Sequence, residues 1–325
     1  METTVILKTV NLTKKYSGLT PDRIHAVKDL TLEIKKGEVF GFLGRNGAGK
    51  TTTIKMICGL LLPTSGEVYI NNVEATNPEA RRTLGYLPEQ PYFYEYLTPR
   101  ETIDFYGRLK GMTSKERHEE WLRLEELLQL KTISDIRLKN FSKGMRQKIG
   151  FAIALVGNPD LLILDEPMSG LDPVGRKHIR ELIQQQREFG KTIFFSSHVL
   201  SDVEQLCDRV GVLSRGKLVA SGNIRDVLQQ EIRKVEVVFK SAPTHVISEL
   251  EYQGILLRKW EDYTHFQFEN LQIANDAVFK CISAGGHLVE LSPQKETLED
   301  FFIRMQIKEE QQEKRKEIYY SRVEE

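Results

Sequence analysis

Runs of apolar residues closed by turn residues recur along the first two thirds of this chain. Val5–Val10 and Leu30–Ile34 alternate or are rich in β-branched side chains, and both read as short strands. Lys36-Gly37 turns the chain into Glu38–Leu43, a compact apolar run of the buried-strand type. Beyond a glycine-rich stretch, Ile54, Ile57 and Leu61 fall at helical spacing within 52–62, so a loop joins a strand to a helix.

From about Arg100 to Val156 the strand signals fade and helical spacing takes over, most clearly in the leucine-rich WLRLEELLQL, which predicts a helical insertion. Strand-like runs return at Leu161–Leu164, Thr192–Ser196 and Arg209–Leu213, with helical stretches at Val174–Glu188 and Leu200–Cys207 between them. Strands alternating with helices predict an α/β fold, a mainly parallel sheet with helices on its faces.

The tail follows another pattern. Strand Val235–Lys240, helix His245–Tyr252, strands Ile255–Trp260 and Tyr263–Glu269, helix Ile273–Ala284 and strand His287–Ser292 make a βαββαβ order, that of a ferredoxin-like α+β unit. A further helix is expected over Glu296–Met305. The aromatic residues Tyr252, Trp260, Tyr263, Phe266 and Phe268 read as the core of this unit. The expected organisation is a first domain over 1–230, with its helical part at about 90–157, an accessory domain over 231–307 and a charged tail over 308–325.

Composition then narrows the function. Lys plus Arg and Asp plus Glu both number 46, so no net field draws the chain to nucleic acid or anionic lipid, and no nucleic-acid partner is expected. Cys58, Cys207 and Cys281 are far apart and in no metal-ligand spacing, which suits buried thiols in a reducing compartment. The start, METTVILKTV, lacks the features of a secretion signal, and no apolar run approaches the ~20 residues of a spanning helix. A link to a membrane is therefore expected to run through a partner.

Three segments carry chemistry. GRNGAGKT, residues Gly44, Arg45, Asn46, Gly47, Ala48, Gly49, Lys50 and Thr51, fits the phosphate-loop pattern and runs on into Thr52. Its glycines let backbone N–H groups curl toward phosphates, Lys50 supplies a cation between the outer two, and the Thr51 hydroxyl suits Mg²⁺. LLILDEP, Leu161–Pro167, delivers two carboxylates at the end of a buried strand: Asp165 to hold Mg²⁺, directly or through water, and Glu166 to orient or deprotonate an attacking water. His198 ends another apolar run, TIFFSSH, and is a candidate donor to a γ-phosphate.

These segments, with FSKGMRQ at Phe141–Gln147 and SGLD at Ser169–Asp172, resemble the nucleotide-binding subunit of an ATP-binding cassette (ABC) transporter over about residues 5–230. The resemblance implies a P-loop NTPase core with ATP and Mg²⁺ as cofactors. It implies that Tyr16 stacks on adenine, and that Ser142 and Gly144 cap the γ-phosphate bound by a second subunit, with Asp172 communicating across that interface. Phe141, Lys143 and Met145 depart from the usual L-S-G-G-Q signature. The loop glutamine that touches Mg²⁺ in this family falls by spacing on Glu89, with Gln90 beside it, and both stay candidates. The likeness extends to bacterial export-type cassettes with a separate permease. It implies a homodimeric ATPase, peripheral on the cytoplasmic face of the cell membrane and driving an integral membrane permease. The alternative is an ABC ATPase of the soluble, non-transport kind.

Overall fold

Burial explains why the central strands are continuously apolar. In the computed structural model, which describes residues 4–16, 24–227 and 232–295, three of them are buried along their whole length. The helix expected at 296–305 and the tail at 308–325 lie outside the described residues. The chain divides between Val227 and Leu228 into two compact units.

The first unit runs β1 (Val5–Tyr16), β2 (Ile24–Lys35), β3 (Val39–Leu43), α1 (Lys50–Ile57), β4 (Ser65–Ile70), β5 (Val73–Glu74), β6 (Leu84–Leu87), α2 (Pro99–Leu109), α3 (Ser114–Leu127) and α4 (Lys143–Leu155). It continues through β7 (Leu161–Leu164), α5 (Pro173–Glu188), β8 (Thr192–Ser197), α6 (Leu200–Leu206), β9 (Arg209–Ser214), β10 (Lys217–Asn223) and α7 (Ile224–Val227). A six-stranded sheet has the order β10-β9-β3-β8-β7-β6. All its pairs are parallel except the β10 edge. Since β3, β8 and β7 are neighbours running the same way, the loops after them leave the same edge of the sheet, where open α/β sheets bind ligands.

An antiparallel sheet, β2-β1-β4-β5, accompanies it. Here β1 and β2 are each twelve residues long, beyond the short runs the sequence predicts, because bulges let the pairing continue through polar stretches. The sequence pattern leaves β4, β5, β6 and β10 unassigned. These are short or carry glycine and half-exposed positions, and pairing with a neighbour is what makes them strands. Phe40 and Phe194 stack in the core at 5.8 Å, and α1 sends Ile54, Met56 and Ile57 into the same cluster.

In the helical insertion, α2 and α3 both open with capping boxes. Thr98 and Thr113 accept the N–H groups of Glu101 and Glu116, whose carboxylates accept the threonine N–H groups in return.

The second unit runs β11 (Ile232–Lys240), α8 (Thr244–Leu250), β12 (Ile255–Trp260), β13 (Tyr263–Phe268), α9 (Leu271–Ser283) and β14 (His287–Lys295). Its sheet, β12-β13-β11-β14, is antiparallel throughout, the split order of a ferredoxin-like unit. Val237, Phe239, Phe266 and Phe268 meet α8 and α9 in the core. The expectation that all five aromatic residues lie in this core holds for Phe266 and Phe268 and needs correction for the others. Tyr252 is 94% exposed just past the end of α8. Trp260 pairs across the hairpin with Tyr263 and stacks on it at 5.5 Å, on the face opposite Phe266 and Phe268, because successive strand residues point to opposite sides.

Candidate functional site

The site begins where β3 ends. In the loop 44–49, Gly47 and Gly49 have φ of +81° and +107°, which L side chains rarely adopt. A β-carbon on Gly49 would lie 2.2 Å from the Ala26 carbonyl oxygen, whereas one on Gly47 would meet nothing within 4 Å. Gly49 thus answers to packing as well as to backbone geometry. No side chain caps α1, so among the described residues the N–H groups of its first turn are left without a side-chain cap, the arrangement that suits an anion. Gly44 and Ala48 shape the loop from behind: a β-carbon on Gly44 would crowd the Leu213 carbonyl at 2.7 Å.

Buried Lys50 donates to the Gly44 carbonyl at 2.6 Å, and its ammonium lies 3.1 Å from Glu166 Oε1. That contact is an ion pair rather than an aligned hydrogen bond, since none reaches Oε1 among the described residues. The other oxygen, Oε2, is 2.8 Å from His198 Nδ1, which must carry the proton if the ionised carboxylate is to accept it. Glu166 itself sits at φ +47°, a left-handed conformation costing a residue with a β-carbon about 1–2 kcal/mol. Its N–H donates to Ser196 Oγ at 2.9 Å, and the same hydroxyl donates to Asp165 Oδ1 at 2.7 Å.

Asp165 is buried, and the Thr51 side chain lies close enough to act on its carboxyl. Burial, chiefly, pushes its carboxyl above the ordinary range; the hydroxyls of Ser196 and Thr51 oppose the shift, the Glu166 charge adds to it, and Lys50 opposes it. Two carboxylates, one ammonium, a threonine hydroxyl and an imidazole therefore meet at one sheet edge.

A cavity of about 460 Å³ opens above them. Of the residues expected from the sequence it is lined by Arg45, Asn46, Gly47, Gly49, Lys50, Thr51, Thr52, Glu89, Glu166 and His198, with Ala26 and Ser169 added. Glu89 lines it and Gln90 does not. Tyr16 is also absent from the lining; it is partly exposed, with the Lys14 ammonium 5.5 Å from its ring centre.

Ser142, Gly144 and Asp172 lie outside the lining as well. Ser142 caps α4, accepting the Met145 N–H at 3.3 Å, and Gly144 follows in the first turn. Asp172 caps α5, accepting the Gly175 N–H at 2.8 Å.

Sequence reasoning passes over several residues that hold this site together. Gln147, at the end of the signature, is buried and donates to the Pro167 carbonyl at 2.8 Å, tying α4 to the turn after Glu166. Asp202, in the first turn of α6, is wholly buried against Arg176 at 2.6 Å and Arg180 at 3.4 Å, which stand one turn apart on α5. Ser196 is the third. A signal for it exists, a polar pair closing the apolar run TIFF, but nothing local says where its hydroxyl goes.

The family described as ABC transporter matches residues 27–169. The ABC transporter ATP-binding protein YcbN of Bacillus subtilis is 38% identical over 307 residues, 93% of this chain and 97% of that protein. The chain belongs to the ABC transporter ATP-binding proteins. This cassette is also similar to the bacitracin transport ATP-binding protein BcrA of Bacillus licheniformis, 35% identical over 317 residues that cover 92% of this chain and 97% of that one. A solved dimeric ATP-binding cassette in a post-hydrolysis state, bound to ADP and Pi, superposes with a TM-score of 0.62 at 27% identity, covering 68% of this chain and 99% of that one. The first unit is thus a P-loop NTPase cassette, and the protein is an ATP-binding transporter subunit with ATPase activity.

Proposed function

We propose that this subunit closes on ATP with a second copy of itself, reopens after hydrolysis, and so drives a separate integral membrane permease that exports its cargo. The observation that carries the reading is the convergence on Glu166: Lys50 from the start of α1 and His198 from the loop after β8 both reach the carboxylate that follows β7. Lys50 and His198 are the donors a terminal phosphate would draw, while Glu166 is the base placed to align or deprotonate a water.

Mg²⁺ fits the donors present. Thr51 and Glu89 on the cavity wall, with buried Asp165 beside Thr51, offer the few hard oxygen ligands this ion takes from protein when phosphates and water supply the rest. Accordingly, no cage of three or more His, Cys, Asp or Glu is needed, and none occurs among the described residues. When bound, the ion would offset charge on the phosphates.

Because Ser142 and Gly144 lie outside the cavity of their own chain, they cap the nucleotide of the partner copy in this reading, and Asp172 answers across the same interface. The dimeric form of the similar cassette supports it. No helix among the described residues is long and apolar enough to cross a membrane, so the permease supplies the membrane path and holds the subunit on the cytoplasmic face. The transport named for BcrA favours this over a non-transport ATPase, and export rests on the motif likeness to export-type cassettes.

Glu166→Gln should slow steady-state phosphate release at least ~100-fold while a dimer accumulates with ATP on gel filtration. Turnover close to the parent's would remove Glu166 from this role. Gentle extraction of tagged protein from its native membrane should recover an integral membrane protein with it; recovery without one would sink the permease reading.

A further inference from the structure

Ser196 is wholly buried on β8 and touches both acidic residues of the site. A serine hydroxyl has one proton to give and lone pairs to receive with. Here the proton goes to Asp165 Oδ1 and a lone pair takes the Glu166 N–H. The strand register explains why a side chain does this. The last registered pair between β7 and β8 is Leu164 with Phe195, and beyond it the backbone of Glu166 turns left-handed and out of the ladder. Its N–H would otherwise be buried without a partner.

We infer that Ser196 is a positioning residue for the hydrolysis proposed above, on which this inference rests. By accepting from the Glu166 N–H it holds the left-handed turn, and that turn aims the two carboxylate oxygens at Lys50 and His198. By donating to Asp165 it also couples the two acids. Charge on Asp165 polarises the hydroxyl and strengthens its hold on Glu166, so the carboxylate on the Mg²⁺ side and the one on the water side are set together. Ser196 lies outside the cavity lining and acts only through its neighbours.

The test uses Ser196→Ala and Ser196→Thr in the full chain. S196A should lower kcat for phosphate release by about tenfold to a hundredfold, the effect of a misplaced catalytic group, and leave KM for ATP within about twofold. S196T keeps the hydroxyl and should recover most of the rate. A crystal structure of S196A should show Glu166 out of the left-handed region and its carboxylate beyond hydrogen-bond reach of His198, past about 3.5 Å. An S196A kcat within twofold of the parent, an unmoved Glu166 turn, or an S196T variant as slow as S196A with parent-like melting would each overturn the inference. If the parent itself releases no phosphate, the hydrolysis reading falls, and the turn in S196A still decides whether Ser196 holds Glu166.

Discussion

Replacing Gly144 by alanine separates what one copy of this cassette does by itself from what it does with a second. Gly144 is the second residue of α4, its φ is not left-handed, and a β-carbon there meets no atom within 4 Å. In the single chain the methyl group is therefore free of clashes. Glycine to alanine gains about 0.5–1 kcal/mol in a helix interior and less in a first turn, so the lone subunit should melt at the parent temperature or about 1–2 °C above it. The proposed dimer reverses the balance. There Gly144 faces the terminal phosphate in the partner's cavity, and the methyl group stands between that anion and the N–H groups of the α4 first turn. A hydrogen bond to a charged group is worth about 1.5–3 kcal/mol. Two-fold symmetry places two such sites in each dimer, so the loss is about 3–6 kcal/mol, roughly a hundredfold to ten-thousandfold in the dimer constant. Sedimentation velocity with ATP, comparing Glu166→Gln with and without Gly144→Ala, reads the dimer constant; differential scanning fluorimetry without ATP reads the fold. An unchanged dimer constant would refute the capping role. A melting temperature several degrees below the parent's would refute the claim that the site is open within one chain.

Two further predictions concern the scaffold. Asp202→Asn keeps the shape of a wholly buried side chain and removes its charge from Arg176 and Arg180. Because both arginines are partly exposed and regain water, the loss should sit near or below the low end for a broken buried pair, about 2–3 kcal/mol by urea denaturation; under about 1 kcal/mol would show the clasp to be idle. Asp104 on α2, bound by Arg117 of α3, is pushed up by burial, but hydrogen bonds and charge from Arg117 and Arg108 outweigh this and hold its carboxyl below the ordinary range. A depressed folded-state pKa gives stability that is present above the unfolded-state value and lost as pH falls through the folded one. Asp104→Asn should therefore cost stability at about pH 7 and little near pH 2, measured by denaturant titration, and an equal cost at both would rule out the charge as the cause.

Much of the first unit can be read along the chain because its signals are local. A buried parallel strand must be apolar on both faces, a phosphate loop must carry glycine where φ is positive, and a helix start needs a capping side chain. LLIL, Gly47 with Gly49, and Ser142 each carry such a signal within a few residues. The strands β4, β6 and β10 carry none, since their short or mixed sequences become strands by pairing with neighbours. In the second unit alternation sets the order of elements, yet it does not tell which aromatic residues face inward. Trp260 and Phe266 look alike in sequence, and only the pairing register sends them to opposite faces.

The candidate site divides the same way. Residue type and spacing by themselves determined the groups that suit a magnesium-bound triphosphate: Lys50, Thr51, Asp165, Glu166 and His198. Tertiary structure alone decided that Lys50 and His198 meet on Glu166, that Glu89 rather than Gln90 reaches the cavity, and that Ser196 bridges the two acids. The physical reason is the order β3-β8-β7. A chain can specify the end of each strand locally, but which ends become neighbours depends on how buried strands pair across the whole sheet.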